Sequence, residues 1–124
     1  MKRITAIILA VTTVILLSVF TVGTSAAWDG TTIDTSWYNP NETTFTLTTP
    51  EQLAGLAAIV NGSLSSIAPD DFKGKTILLG ADIDLGGKNW VPIGTSTGAS
   101  GTDGFMGIFD GQGHFIKNLT IEIE

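Results

Sequence analysis

FKGKTILLGADIDLGGKNWVPIG (residues 72–94) and GFMGIFDGQGHFIKNL (residues 104–119) decide how this chain is built. In both, short apolar runs alternate with glycine-bearing turns. Residues 75–79 and 82–85 read as two short strands around a turn at Gly80-Ala81. Gly86-Gly87-Lys88-Asn89 is the next turn, and residues 90–93 read as a third strand. Pro92 has no backbone donor, which puts that strand at an edge or a bend. Residues 95–104, small and glycine-rich, read as a surface loop. Residues 105–109, 115–116 and 119–123 are further expected strands, parted by Asp110-Gly111-Gln112-Gly113. Strands this short, laid one after another, suit the rungs of a coil better than a compact enzyme core. Residues 75–85 pass from an apolar run into alternating acid and aliphatic residues, and residues 118–124 do the same. Internal echoes of this kind mark solenoids.

Upstream, residues 45–48 alternate apolar and polar, which is strand periodicity. Thr49-Pro50-Glu51-Gln52 then starts a helix. Thr49 can accept from the Gln52 N–H, Gln52 can reach back, and Pro50 sits where a missing N–H costs nothing. Leu53, Leu56, Ala57 and Val60 follow on one helical face, and Gly62 is placed to end the helix. Residues 28–41 are polar and turn-rich, and are expected to form an opening strand followed by a loop at Asn39-Pro40-Asn41.

The first residues bear on compartment. Lys2 and Arg3 precede an almost wholly apolar run through Val22, and Thr24-Ser25-Ala26-Ala27 supplies small residues. This is the layout of a secretory signal, with cleavage expected after Ala27, a cut after Ala26 being the close alternative. An uncleaved membrane anchor is the rival reading, because the run is about long enough to span a bilayer. The small-residue exit favours cleavage, which gives a secreted or cell-surface protein. Without residues 1–27 the chain keeps four lysines and all twelve acidic residues, a net charge of −8. That sign opposes nucleic acid and anionic membrane surfaces. Cysteine is absent, so no disulfide staples the fold.

The helix LTTPEQLAGLAAIVNG (residues 47–62), then DIDL at 82–85, W-x-PIG at 90–94 and FDG-x-GH-x-I at 109–116 come in a telling order. The combination resembles the N-terminal part of bacterial or archaeal secreted surface proteins with a right-handed parallel β-helix of the pectin-lyase-like type, often followed by GLUG-motif repeats. The likeness spans roughly residues 44–123. It implies a mostly β chain: a signal peptide over 1–27, an opening segment over 28–43, and a cap helix with the first rungs of a β-helix over 44–124. It departs from the family by stopping at Glu124, inside an expected strand and before any such repeat. The reading is therefore of an incomplete coil. Its open edge, with Leu119, Ile121 and Ile123, is an expected place for self-association. The resemblance also implies adhesion or glycan contact.

The candidate chemistry is sparse. Asp82 and Asp84 lie one residue apart, so on a strand both point to the same face. Facing carboxylates can share a calcium ion or act on a glycosidic bond. Ordinary alternation, with Ile83 turned inward between two solvated acids, explains the same spacing. Asp110 in Asp110-Gly111-Gln112-Gly113-His114 adds a carboxylate, and Asp103 in the neighbouring loop could join it. That segment lacks the spacing of an EF-hand and reads better as a tight turn. Calcium at Asp82, Asp84, Asp103 and Asp110 is the one cofactor these residues suggest, and none is required. His114 is the only histidine, and no G-x-S-x-G elbow marks a nucleophile, so no catalytic set is expected. Trp37, Tyr38 and Trp90 are candidate platforms for sugar rings. Trp90 also fits burial under the helix, whereas Trp37 and Tyr38 sit among polar residues.

The function these features point to is a non-catalytic β-helix segment, secreted or on the cell surface, in contact with a glycan or another cell-surface ligand. The alternatives are the cap of a polysaccharide lyase or glycoside hydrolase whose active rungs lie elsewhere, and a purely structural stalk.

Overall fold

The computed structural model of the chain describes residues 26–95 and 104–123. Residues 1–25 of the signal segment expected over 1–27, and Asp103, lie outside the described residues. No helix among the described residues is long and apolar enough to cross a membrane.

The regular elements are β1 (Thr44–Leu47), α1 (Pro50–Asn61), β2 (Thr76–Leu79), β3 (Ile83–Asp84), β4 (Ile108–Asp110) and β5 (Ile116–Lys117). They make small sheets of parallel strands with one helix. One sheet runs β1-β2-β4 and the other pairs β3 with β5. Thr44 faces Thr76, and Thr76 faces Ile108, so successive partners are 32 residues apart. Ile83 faces Ile116, an offset of 33, and an isolated bridge joins Asn89 to Thr120, an offset of 31. Three separate places along the chain thus advance by nearly the same length before meeting themselves. Parallel strands need such long connections, because a tight turn can only reverse direction.

Side-chain alternation decides which face is buried. Phe45 and Leu47 on β1, Ile77 and Leu79 on β2, and Ile83 and Leu85 around β3 all point into one core. Burying an aliphatic or aromatic side chain of this size contributes about 1.5–3 kcal/mol. The echo expected between residues 75–85 and 118–124 is corrected by the register: Ile77 meets Phe109, not a residue near 120. The position in the layer repeats while the residue type does not.

α1 begins as its sequence dictates. Thr49 Oγ1 accepts from the Gln52 N–H at 3.2 Å, and Gln52 Oε1 accepts from the Thr48 N–H at 2.8 Å. The end is a Schellman turn: Gly62, at φ 66°, donates to Ile59 O, and Ser63 donates to Ala58 O. The expected single apolar face is too narrow a description, because every residue from Leu53 to Val60 is buried. The second face is covered by the N-terminal segment. Asp34 donates from its backbone N–H to Glu51 O, and a Cβ added at Gly55 would lie 2.1 Å from Asp34 O.

That segment holds no strand, which corrects the opening strand expected within residues 28–43. Asp29, Asp34 and Asn39 each accept, through the side chain, the backbone N–H two residues on. These Asx turns satisfy the backbone locally and bend it over the helix. No strand forms over 90–93 or 119–123, where a single bridge joins Asn89, in the expected turn, to Thr120, and the strand expected over 105–109 lies instead at Ile108–Asp110. The third layer is open: Ile108, Phe109, Phe115, Ile116, Leu119, Ile121 and Ile123 are 39–92% exposed.

Candidate functional site

The two acids of DIDL do point to one face, with Ile83 fully buried between them. Both reach partners on the segment around β5. Asp82 Oδ1 accepts from the Phe115 N–H at 3.0 Å and lies 3.2 Å from His114 Nδ1. Asp84 Oδ1 accepts from Asn118 Nδ2 at 2.7 Å and from the Gly86 N–H at 2.9 Å, and Lys117 Nζ stands 3.7 Å from Asp84 Oδ2. The Phe115 N–H and the His114 ring hold the Asp82 carboxyl below its ordinary range. The Asn118 amide, the Gly86 N–H and the Lys117 charge do the same for Asp84. Neither is pushed toward the raised pKa that a general acid needs. The pair ties β3 to the segment around β5. Asn89 extends the ladder, its Oδ1 accepting from the Glu122 N–H at 3.0 Å.

Asp110 is occupied by its own turn, accepting from the Gln112 N–H at 3.0 Å. Among the described residues no group of three or more His, Cys, Asp or Glu side chains is placed to hold a metal ion.

Trp37 and Tyr38 belong to an aromatic cluster that also holds Phe45, Phe72 and Phe105. Trp37 sits edge-on to Phe45 at 5.2 Å between centroids and donates from Nε1 to Asp34 O. Tyr38 donates its hydroxyl to Asp70 Oδ2 at 2.8 Å. Burial, with the Asp70 hydrogen bond and charge, pushes the Tyr38 hydroxyl up to about 12. Lys75 bonds the same carboxylate and lies 5.7 Å from the Tyr38 ring centre and 5.6 Å from that of Phe72. Burial raises the Asp70 pKa, but the Lys75 ammonium, the Phe72 N–H and the Tyr38 hydroxyl outweigh it and bring the carboxyl below its usual value. Both aromatic residues are half-buried and engaged.

Trp90 is 7% exposed, in keeping with burial under the helix. It meets Trp28 edge to face at 5.4 Å between centroids, and Trp28 donates from Nε1 to Thr32 O. The two indoles stand at one side of a cavity of about 340 Å³ between the N-terminal segment, the C-terminal half of α1 and residues 89–95. Ala54, Ala57 and Ala58 on α1 form its wall, and Ile33 and Val91 are the large exposed apolar residues lining it. Asn61 closes one end. Its Nδ2 donates to Pro92 O at 2.9 Å, and its Oδ1 accepts from the Gly94 and Thr95 N–H groups at 2.7 and 3.0 Å. This clip holds the chain after Trp90 against the end of the helix. The cavity was invisible to the sequence reading, because helix alanines look like filler until the layer above them is known.

Comparison with protein-family models, with curated proteins and with solved structures finds no match for this chain.

Proposed function

We propose that the chain is the capped start of a parallel β-helix, working outside the cell as a non-catalytic contact module for a glycan or another cell-surface ligand. The observation that carries this reading is the advance of 32, 33 and 31 residues at three separate pairings. A constant advance with parallel register is what a coil requires. Capping follows from α1, which lies over the first layer and is itself covered by residues 28–38. In support of a contact role, the candidate acids serve as ties between layers. The acidic surface leaves nucleic acid and anionic membranes disfavoured.

A coil accepts whole turns. A second copy of residues 76–107 inserted after Gly107 adds one turn in register, and it should keep a cooperative melt and raise the urea m value, because more surface is buried. An insertion four residues shorter should break the register. Equal disruption by both insertions would sink the coil. For the contact half, glycan-array binding by the purified protein is the expected result, and no binding to any glycan or cell surface would overturn it.

A further inference from the structure

We propose that the cavity beside Trp28 and Trp90 is a binding site for one uncharged sugar residue of a glycan. The proposal rests on the surface-contact reading above and gives it a place on the molecule.

Charge is the first argument. The chain carries a net charge of −6, yet among the described residues no charged side chain lines this cavity. None of the lining side chains would pair with a sulfate, a phosphate or a uronate, and the surrounding negative field disfavours an anion. The lining is divided in a way that narrows the ligand further. Helix alanines with Ile33 and Val91 offer an aliphatic surface for the C–H face of a sugar ring. Thr31, Ser63, Asn89 and Thr95 also line it with hydroxyl and amide groups. Thr31 Oγ1 donates to Asp29 Oδ1 at 3.3 Å, which leaves its lone pairs to accept. Ser63 Oγ already donates to Ala58 O, which leaves its lone pairs to accept, and Asn89 uses its Oδ1 on Glu122. A purely aliphatic ligand would strip water from these groups and give nothing back. A ligand with hydroxyls around an apolar face satisfies both halves.

Size and stiffness agree with this. About 340 Å³ is near the lower end of the ~300–1,000 Å³ range of small-molecule pockets, the scale of a single ring rather than a long chain. The walls are set in advance by a capped helix, a buried tryptophan pair and the Asn61 clip, so little ordering is needed on binding.

The chain has three tryptophans, and only Trp28 and Trp90 line the cavity. Trp37, in the other aromatic cluster, is a built-in control. The test follows the three indole N–H signals by NMR while the protein is titrated with glucose, galactose, mannose and N-acetylglucosamine, and separately with galacturonate and octanoate. The expected result is a saturable shift of the Trp28 and Trp90 signals with at least one uncharged sugar, with Trp37 unmoved and galacturonate at least tenfold weaker. Val91→Glu, at an exposed position, should weaken the response at least tenfold without lowering the melting temperature. Thr31→Val, also exposed, should weaken it several-fold. No saturable shift at Trp28 and Trp90 in a protein that melts cooperatively would overturn the proposal. Tighter binding of octanoate, or equal binding of galacturonate, would do the same. A shift at Trp37 alone would reject this cavity while leaving the surface-contact reading intact, and failure of that reading would show instead as no glycan response anywhere.

Discussion

Replacing Gly55 with alanine is the sharpest test of the cap. In an exposed helix interior this change normally adds about 1 kcal/mol of stability, because alanine has the better helix propensity. Gly55 is buried, and the backbone of residues 34–35 lies directly over it. A Cβ there would be 2.1 Å from Asp34 O and 2.9 Å from the Asp34 carbonyl carbon. Both are main-chain atoms, so no rotamer can relieve the clash, and the segment must lift. Overpacking of this kind costs about 1–3 kcal/mol. Lifting also lengthens the 2.9 Å hydrogen bond from the Asp34 N–H to Glu51 O, worth about 0.5–1.5 kcal/mol. Less the propensity gain, Gly55→Ala should destabilise the protein by about 1–3 kcal/mol. At this size each kcal/mol lowers the melting temperature by about 4–8 °C. Thermal and urea melts followed by circular dichroism would measure it, with hydrogen exchange at the Asp34 amide as a local readout. Gly104→Ala, where a Cβ meets nothing within 4 Å, is the control and should change little. A Gly55→Ala protein that melts higher than the parent would refute the reasoning, because the N-terminal segment could not then be seated on the helix.

Ile83→Ala should cost about 2–5 kcal/mol in urea unfolding, because Ile83 is fully buried, while Ile123→Ala, at 92% exposure, should stay within about 0.5 kcal/mol. Tyr38 is the only tyrosine, so its ionisation can be followed by ultraviolet absorbance; the folded midpoint should stand near 12 against 10.0 in denaturant, and Asp70→Asn should lower it. With the folded value raised, the contribution of Tyr38 to stability is complete below pH 10 and is lost as the pH climbs through about 12, and a folded midpoint at 10 would contradict the contact with Asp70. Asp29, Asp34, Asp70, Asp82 and Asp84 all hold their protons less tightly when folded, so the unfolded chain takes up more protons as pH falls below 3.8. Urea midpoints should be level above about pH 5 and fall progressively below 3.8; stability that rises on acidification would contradict these hydrogen bonds.

What could be read from the sequence was local. The capped helix from Pro50 to Asn61 is specified within its own residues, by Thr49, Pro50, Gln52 and Gly62, and it formed with those caps. Alternation over residues 45–48 and in DIDL likewise put Phe45, Leu47 and Ile83 inside, whereas the run Ile77-Leu78-Leu79 does not alternate and left its inward face open. Register was not legible. A layer asks only that its inward residues fill space, so Ile77 can stack on Phe109, and Thr76 can lie beside Ile108, with no likeness to detect. The N-terminal segment was read as a strand for want of its partner, although Asp29-x-Thr31 and Asp34-x-Ser36 already spelled out Asx turns. Trp37 and Tyr38 seemed free because their neighbours are polar, while the residues that engage them, Phe45, Asp70 and Phe72, come later in the chain.

The acids at 82 and 84 show why polar residues matter to a structure whose cohesion is apolar. An inward row repeating every second residue cannot by itself tell its correct partner from one displaced by two, because the same face is presented either way. Sliding β5 by two residues along β3 would set His114 or Asn118 in place of Ile116 beside Ile83. It would also carry the Phe115 N–H away from Asp82, the Asn118 amide away from Asp84 and the Glu122 N–H away from Asn89. Each contact is exposed and modest alone, yet all three are lost together in the displaced pairing and kept together in the observed one. The outer face therefore reinforces the register that the Ile83–Ile116 pairing sets, and carboxylates spaced like a catalytic pair act instead as index marks between β3 and the segment around β5.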